Sequence, residues 1–487
     1  MTCSRWPGAA LVALVLWLLP AAGWSAEIAG PQVSAEQLRA ARHAAPGPQL
    51  RLVFDFHQGN SAPAPLSVLL GTDYIDIAEG GRETLYDFRL RRRLNLDRTT
   101  RSFANFSLYG DVAFRRFELG KRQDLAEMFG GGSAEDPLPL ALQPFWVESD
   151  VGLAGGAKNP PAIRQDTLPD GAVRFRLGEE EVALFAPAAL ALPAELRRSF
   201  GRFLRYRLPL HPDILRAIET DGRIPQRLVL VGVDNGERRP TGLVLRSATR
   251  FSGGDYPLPA DFAGRPLAGQ ASDGEAMSLR GLLPVMLDAA EERRGKPRPL
   301  GDYQRAIDQA LNRGRGFAAA LLLAEAALQY GIAAADCSQG AGWGAPCHGA
   351  EELGRRLAGD PRAALFYRAQ TAEPKDDPAA AAKLWEDLKH DDMPNGYVVD
   401  AFLADRLSAA GHRDAAMGAF ARALDGNPYL AGVYKELGDH FLRASRTDLA
   451  WLCYDLGRAL PGRSAGDPLA QVDALEAEMA SSYRDFF

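Results

Sequence analysis

The residues able to do chemistry are few and scattered. His57 follows Asp55 in the run FDFH, where a carboxylate two residues away could orient an imidazole; the same pattern also suits a half-exposed histidine on a strand. Cys337 and Cys347 flank the glycine-rich stretch DCSQGAGWGAPCHG. In an oxidising compartment that spacing favours a disulfide, and closing such a loop is worth about 2–3 kcal/mol in the chain-entropy model. Half of a metal site with His348 is the rival reading, but zinc needs three or four ligands at regular spacing and no second pair exists. His390 with Asp391 and Asp392 fits a cation site or a solvated turn before Pro394. No G-x-S-x-G, P-loop, H-E-x-x-H or paired C-x-x-C motif is present. The sequence therefore assigns no catalytic residue, no metal and no cofactor, and it points away from an enzyme.

Arginines form a denser pattern. Arg89, Arg91, Arg92, Arg93, Arg98 and Arg101 fall in one short stretch, with Arg115, Arg116, Lys121 and Arg122 behind. On a strand, Arg89, Arg91 and Arg93 would share a face and could engage phosphate or an acidic glycan. The solvent face of an antiparallel sheet accounts for the same spacing.

The elements that must position these residues follow from the bulk pattern. The chain has 487 residues, 46% apolar and 24% charged, the balance of a folded protein of two or three domains. A net charge of -6 supplies no basic field for nucleic acid. Arg5, the apolar run Ala9 to Ala22 and the small residues Gly23, Ser25 and Ala26 have the order of a secretory signal over residues 1–25, cut between Gly23 and Ala26. The run is shorter than the roughly 20 residues that span a bilayer. These features place the mature chain in the periplasm or outside the cell, with no stable membrane span once the signal is removed.

Residues 26–49 read as a linker with a short helix from Ser34 to Ala45, Ser34 being its N-cap. Residues 50–262 read as a β-rich α+β domain. Its expected strands are Leu50 to Phe56, Asp73 to Ala78, Glu83 to Leu90, Arg93 to Asp97, Ser102 to Tyr109, Val112 to Leu119, Ala172 to Leu177, Val182 to Phe185, Arg227 to Val233 and Thr241 to Phe251. Asn235-Gly236 marks a hairpin between the last two. Helices are expected at Leu125 to Phe129, Ala194 to Tyr206 and Pro212 to Thr220. Residues 263–300 read as linker and helix, and residues 301–487 as an α-helical domain.

Within that last domain, Tyr397 to Leu430 and Ala431 to Ser464 superpose at a spacing of 34 residues. Leu403, Ala404, Leu407, Gly411, Ala416, Phe420, Ala423 and Pro428 in the first segment, and Tyr434, Leu437, Gly438, Phe441, Ala450, Tyr454 and Gly457 in the second, fall on signature positions. The region resembles the tetratricopeptide repeat family. The resemblance implies paired helices with small residues where they approach closely, and a concave groove lined by the first helix of each pair. Asp405, Lys435, Asp439 and Arg443 would face that groove. Some family members clamp a carboxylate there with Lys and Asn; Lys435 matches, but Asp439 stands in place of the Asn. Weaker units precede, with helices at Tyr303 to Leu311, Phe317 to Tyr330, Ala363 to Thr371 and Pro378 to Leu388, and Asp467 to Ser481 would cap the series. Separately, the stretch DYIDIAEGGRETLYDFRLRRRLNLDRTTRSF resembles the sheet of outer-membrane lipoprotein carriers, which hold an acyl chain on a concave face.

The expectation is an α+β fold: an antiparallel β-rich domain followed by a tetratricopeptide-like helical array that docks a protein partner of an envelope assembly. The alternative is a lipid or glycan carrier using the β-rich domain.

Overall fold

The computed structural model describes residues 33–43, 47–59, 61–130, 163–177, 179–208, 210–234, 237–264, 297–330, 360–371, 377–389, 393–460 and 468–487. Cys337, Cys347, His348, His390 to Asp392, the signal region and the helix expected at Ser278 to Arg293 lie outside them.

The N-terminal half is built on one large antiparallel-rich sheet. Strands β1 (Pro48–Gln58), β2 (Ala64–Leu70), β3 (Tyr74–Glu79), β4 (Arg82–Asp87), β5 (Arg92–Asp97) and β6 (Ser102–Ser107) form a meander, each antiparallel to the one before. Further along come β7 (Ile163–Thr167), β8 (Val173–Leu177) and β9 (Glu180–Phe185). A separate ribbon pairs β10 (Ala188–Ala191) with β11 (Arg223–Pro225). The hairpin of β12 (Arg227–Asp234) and β13 (Glu237–Ser252) then closes on β1, and β14 (Ala263–Gly264) adds to β6 in parallel. The strand order is β14-β6-β5-β4-β3-β2-β1-β13-β12-β9-β8-β7.

The sheet changes its buried side along its width. Leu52 of β1 pairs with Val68 of β2, which pairs with Ile77 of β3, so all three share one face. That face packs on helix α3 (Ala194–Arg207) through Phe200, Phe203 and Leu204, with Phe54 and Phe203 stacked at 5.9 Å. Leu69, Leu85, Leu94, Leu96 and Phe103 point to the opposite face and form a second core with Leu258 and Phe262. Leu38 of helix α1 (Ala35–Arg42) completes it. Ser34 caps α1 in a reciprocal capping box with Gln37.

Residues 112–119, expected as a strand, belong instead to helix α2 (Leu108–Gly130). Leu108, Tyr109 and Val112 are buried at helical spacing while Phe114 and Phe117 face outward, a pattern with the period of a helix and not of a strand. Strand β2 was not expected, because its proline-rich approach reads as loop; Pro65 is tolerated near the strand start. Helix α4 (Pro212–Asp221), like α3, lies where the sequence places it.

The C-terminal half is helical: α5 (Leu300–Asn312), α6 (Gly316–Tyr330), α7 (Pro361–Thr371), α8 (Pro378–Leu388), α9 (Tyr397–Ala409), α10 (Arg413–Gly426), α11 (Ala431–Arg443), α12 (Thr447–Ala459) and α13 (Ala470–Ser482), then a 3-10 turn at Arg484–Phe486. Helices pack as sequential pairs, α9 on α10 and α11 on α12. The apolar α6 crosses α7, α9 and α11. Its buried Glu325 accepts from Tyr303 Oη and Asn427 Nδ2, each at 2.8 Å, and Leu328 packs on Gly432 so closely that a Cβ there would sit 3.2 Å from the Leu328 carbonyl oxygen.

The two halves are joined by buried contacts. Helix α12 packs on β6 and α2. Arg92 of β5 forks onto both carboxylate oxygens of Asp455 on α12, with both side chains buried. Arg458 extends the network to Asp473 (2.7 Å) and Glu476 (3.0 Å) of α13. Phe486 packs edge-on against Tyr206 of α3 at 5.7 Å, and Tyr206 Oη donates to the Phe486 carbonyl at 3.0 Å. Among the described residues no helix is long and apolar enough to cross a membrane.

Candidate functional site

The four groove residues singled out in the sequence sit on two neighbouring helices, Asp405 on α9 and Lys435, Asp439 and Arg443 on α11. Residues 435, 439 and 443 recur at four-residue spacing and so stack along one side of α11. Lys435 Nζ lies 2.8 Å from Asp439 Oδ2 and 3.0 Å from Glu436 Oε1. Arg443 reaches back to α9, 3.5 Å from Asp405 Oδ1 and 2.9 Å from Ser408 Oγ. Ser408 Oγ in turn lies 2.7 Å from His440 Nδ1, and Tyr454 Oη donates to Asp439 Oδ1 at 2.7 Å. Arg406 stands 3.5 Å from Asp405. The result is a ladder of three acids and three bases, closed on itself but only partly covered.

Its electrostatics follow from partial burial. Burial pushes the Glu436 carboxyl up, and Lys435 pulls it back. Burial alone would depress Lys435, but Glu436 and Asp439 hold its ammonium above the ordinary value. Burial, with Arg443 and Arg413 nearby, holds His440 below its ordinary value. Arg443 is the most open member, its side chain 48% exposed, against 25% for Asp405 and Asp439 and 18% for Lys435. A charged partner side chain could exchange with these pairs without first exposing a buried charge.

Gly438 shows how closely the supporting helices approach. A Cβ there would fall 2.2 Å from the Tyr454 ring of α12. Ala404, Ala416 and Ala450 are fully buried, as close helix contacts demand.

The arginine stretch does not present a common face. Arg89 and Arg91 lie in the turn between β4 and β5, and only Arg93 is in a strand. Arg89 is exposed. Arg91, at φ +55°, donates to Tyr109 Oη and lies 5.6 Å from the Phe487 ring centroid. Arg93 pairs with Asp111 at 2.5 Å and covers the Phe106 ring at 4.5 Å. Asp55 pairs with Arg246 rather than forming a dyad with His57. Cys453 is buried, and burial raises its thiol well above the ordinary range. No group of three or more His, Cys, Asp or Glu among the described residues could hold a metal ion.

Among the described residues, two of the clefts lie on the sheet half. One, of about 170 Å³, is lined by Arg39, Arg42, Gln49, Asp73, Tyr74 and Tyr256 among others. Its polar groups already satisfy one another: Arg42 pairs with Asp73 at 2.5 Å, and Gln49 donates to the Gly254 carbonyl at 2.9 Å. The other, of about 100 Å³, lies between α4 and Phe175 and Phe185. Both are smaller than the roughly 300–1,000 Å³ of ordinary small-molecule pockets.

Sequence reasoning missed Glu436, Ser408, His440 and Tyr454 as members of the ladder. Glu436 and His440 carry a usable signal, since they lie four residues apart beside Lys435 and Asp439. Ser408 and Tyr454 carry none without the packing of neighbouring helices.

No family model matches the chain, and no curated protein or solved structure is significantly similar to it.

Proposed function

We propose that this chain is an exported, periplasmic scaffold protein whose C-terminal helices form a tetratricopeptide-type array that docks a protein partner of an envelope assembly. The partly exposed ion-pair ladder on α9 and α11 carries the reading. It offers both signs of charge at fixed spacing, which suits a partner segment of mixed charge. The recurrence of helix starts at residues 397 and 413 and again at 431 and 447 supports the repeat assignment, as does the glycine at position 438 against Tyr454. Helix α6 packs on α7, α9 and α11, and the reading assigns docking to the Asp405–Arg443 end of the α9–α11 seam.

Two measurements test this. A photo-crosslinking amino acid at position 439, introduced in cells, should give one dominant crosslinked species, whereas the same group at the exposed Lys383 should not. Equal yields at both positions would remove the ladder from the docking surface. Mass analysis of the fractionated protein should find it in the periplasm without residues 1–25; a cytosolic chain that retains them would refute export.

A further inference from the structure

Four arginines are buried among the described residues: Arg42, Arg92, Arg202 and Arg205. Three of them face carboxylates. Arg42 meets Asp73 and Asp87, Arg92 meets Asp455, and Arg205 lies 3.6 Å from Asp485. Arg202 has neither an ion pair nor a hydrogen bond with any described residue. Its Nε is buried without an acceptor, its residue exposure is 5%, and its guanidinium lies over the Phe88 ring at 4.1 Å from the centroid. A cation–π contact orients a guanidinium but supplies no acceptor. A buried charge left without a counter-ion is strongly destabilising.

The surroundings add positive charge. Arg198, Arg202 and Arg205 fall four and then three residues apart, so they line one side of α3. Arg198 is the exposed end of this stripe; its Nη2 donates to the Arg484 carbonyl at 3.0 Å and the Phe487 carbonyl at 3.2 Å. Burial, and the Arg198 charge, push Arg202 down to about 10. The acids that approach this stripe compensate poorly. Asp73 is tied to Arg42, Asp485 is mostly in solvent, and burial holds the Glu219 carboxyl above its ordinary value.

We propose that the Arg198–Arg202 side of α3 is a binding site for a phosphate group. A phosphate dianion brings the acceptors that Arg202 lacks and balances the local excess of guanidinium charge, and two planar forks suit its oxygens. This site stands apart from the docking reading, because α3 belongs to the sheet half and shares no residue with the α9–α11 ladder; either can fail without the other.

The test uses the full-length mature protein, with thermal melting and calorimetry in phosphate-free buffer, inorganic phosphate, acetate and chloride at matched ionic strength. Phosphate should raise the melting temperature of the wild type above the acetate and chloride values. Arg202→Met should melt at or above the wild-type temperature in phosphate-free buffer, since it removes an uncompensated charge, and it should lose the phosphate response. The exposed Arg198→Ala, checked for a native circular dichroism spectrum because it also frees the Arg484 and Phe487 carbonyls, should bind phosphate roughly tenfold more weakly. Phosphatidylglycerol vesicles against phosphatidylcholine vesicles identify the source: selective binding to the former, lost in Arg202→Met, places the phosphate on a lipid headgroup. A wild type that phosphate stabilises no more than chloride or acetate, and that shows no vesicle selectivity, overturns the proposal. So does an Arg198→Ala variant with unchanged phosphate affinity, whether or not Arg202→Met folds.

Discussion

Arg91 and Arg93 in the sheet half, and Lys435 and Arg443 in the helical half, are all basic residues set in runs of charge, yet the fold uses them differently. Arg91 and Arg93 turn inward, onto Tyr109, Asp111 and Phe106, where they fasten β5 to α2, while Arg98, Arg101 and Arg246 of the same sheet half stay largely in solvent. The helices keep theirs in a ladder at the surface, paired but reachable. The contrast comes from geometry. Where α2 covers the end of β5, these two long side chains have little water to reach. Adjacent helices, by contrast, hold an open seam between α9 and α11. Local cover, more than residue type, decides whether a basic side chain fastens the fold or stays presentable.

The largest expected effect comes from breaking the join between the halves. Asp455→Ala leaves Arg92 buried without its carboxylate and should cost about 3–5 kcal/mol by urea denaturation. A loss under about 1 kcal/mol would mean that the halves do not depend on this pair. Replacing both partners with apolar residues should recover much of the loss.

Gly438→Val should come next. It forces a side chain into the Tyr454 ring and should destabilise by about 1–3 kcal/mol, measured by melting. An unchanged melting temperature would show that α11 and α12 are not so closely packed.

The pH dependence should be smaller and have a definite sign. Burial lowers both His211 and His440 from the ordinary value, so the unfolded chain binds protons that the folded chain resists. Their contribution is therefore silent above the unfolded pKa of about 6.5 and destabilises as pH falls below it. Stability measured at stepped pH should fall less, or rise more, on acidification through that range in His440→Gln than in the wild type, because carboxyls raised by burial, such as Asp76, contribute with the opposite sign in both. A slope equal to that of the wild type would remove His440 from the pH dependence.

The smallest effect belongs to Arg89→Ala, an exposed turn residue, which should shift stability by no more than about 0.5 kcal/mol. A larger loss would make the basic turn structural and blur the contrast between the halves.

Much of this architecture was legible from residue patterns. The meander from β3 to β6, the β12–β13 hairpin, helices α3 and α4 and the pairs from α5 to α12 follow alternation, turn residues and helical periodicity. Two kinds of information were not. Alternation says that a strand has two faces, but not that the sheet moves its core from the Leu52 side to the Leu85 side across its width; α3 and the Tyr256–Phe262 region decide that from afar. Likewise, the short apolar patches of Val112 to Leu119 fit a strand as readily as a helix, and packing on α12 accompanies the helix they form. For the candidate site, the four charged residues were singled out through the family resemblance, and their places on two adjacent helices follow helical periodicity, but the pairing of Asp405 with Arg443 is a contact between helices. Arg92 read as one member of a basic run and Arg202 carried no signal of its own, and only burial sets both apart.

The central claim is that the charge ladder of α9 and α11 docks a partner. Quantitative affinity capture from envelope extracts tests it most directly, comparing the wild type with Lys435→Glu/Arg443→Glu and with a control reversal at the exposed Lys383. The account predicts that one set of envelope proteins is retained by the wild type and the control and lost from the double variant, which remains folded by circular dichroism. Retention of the same proteins by all three would contradict it.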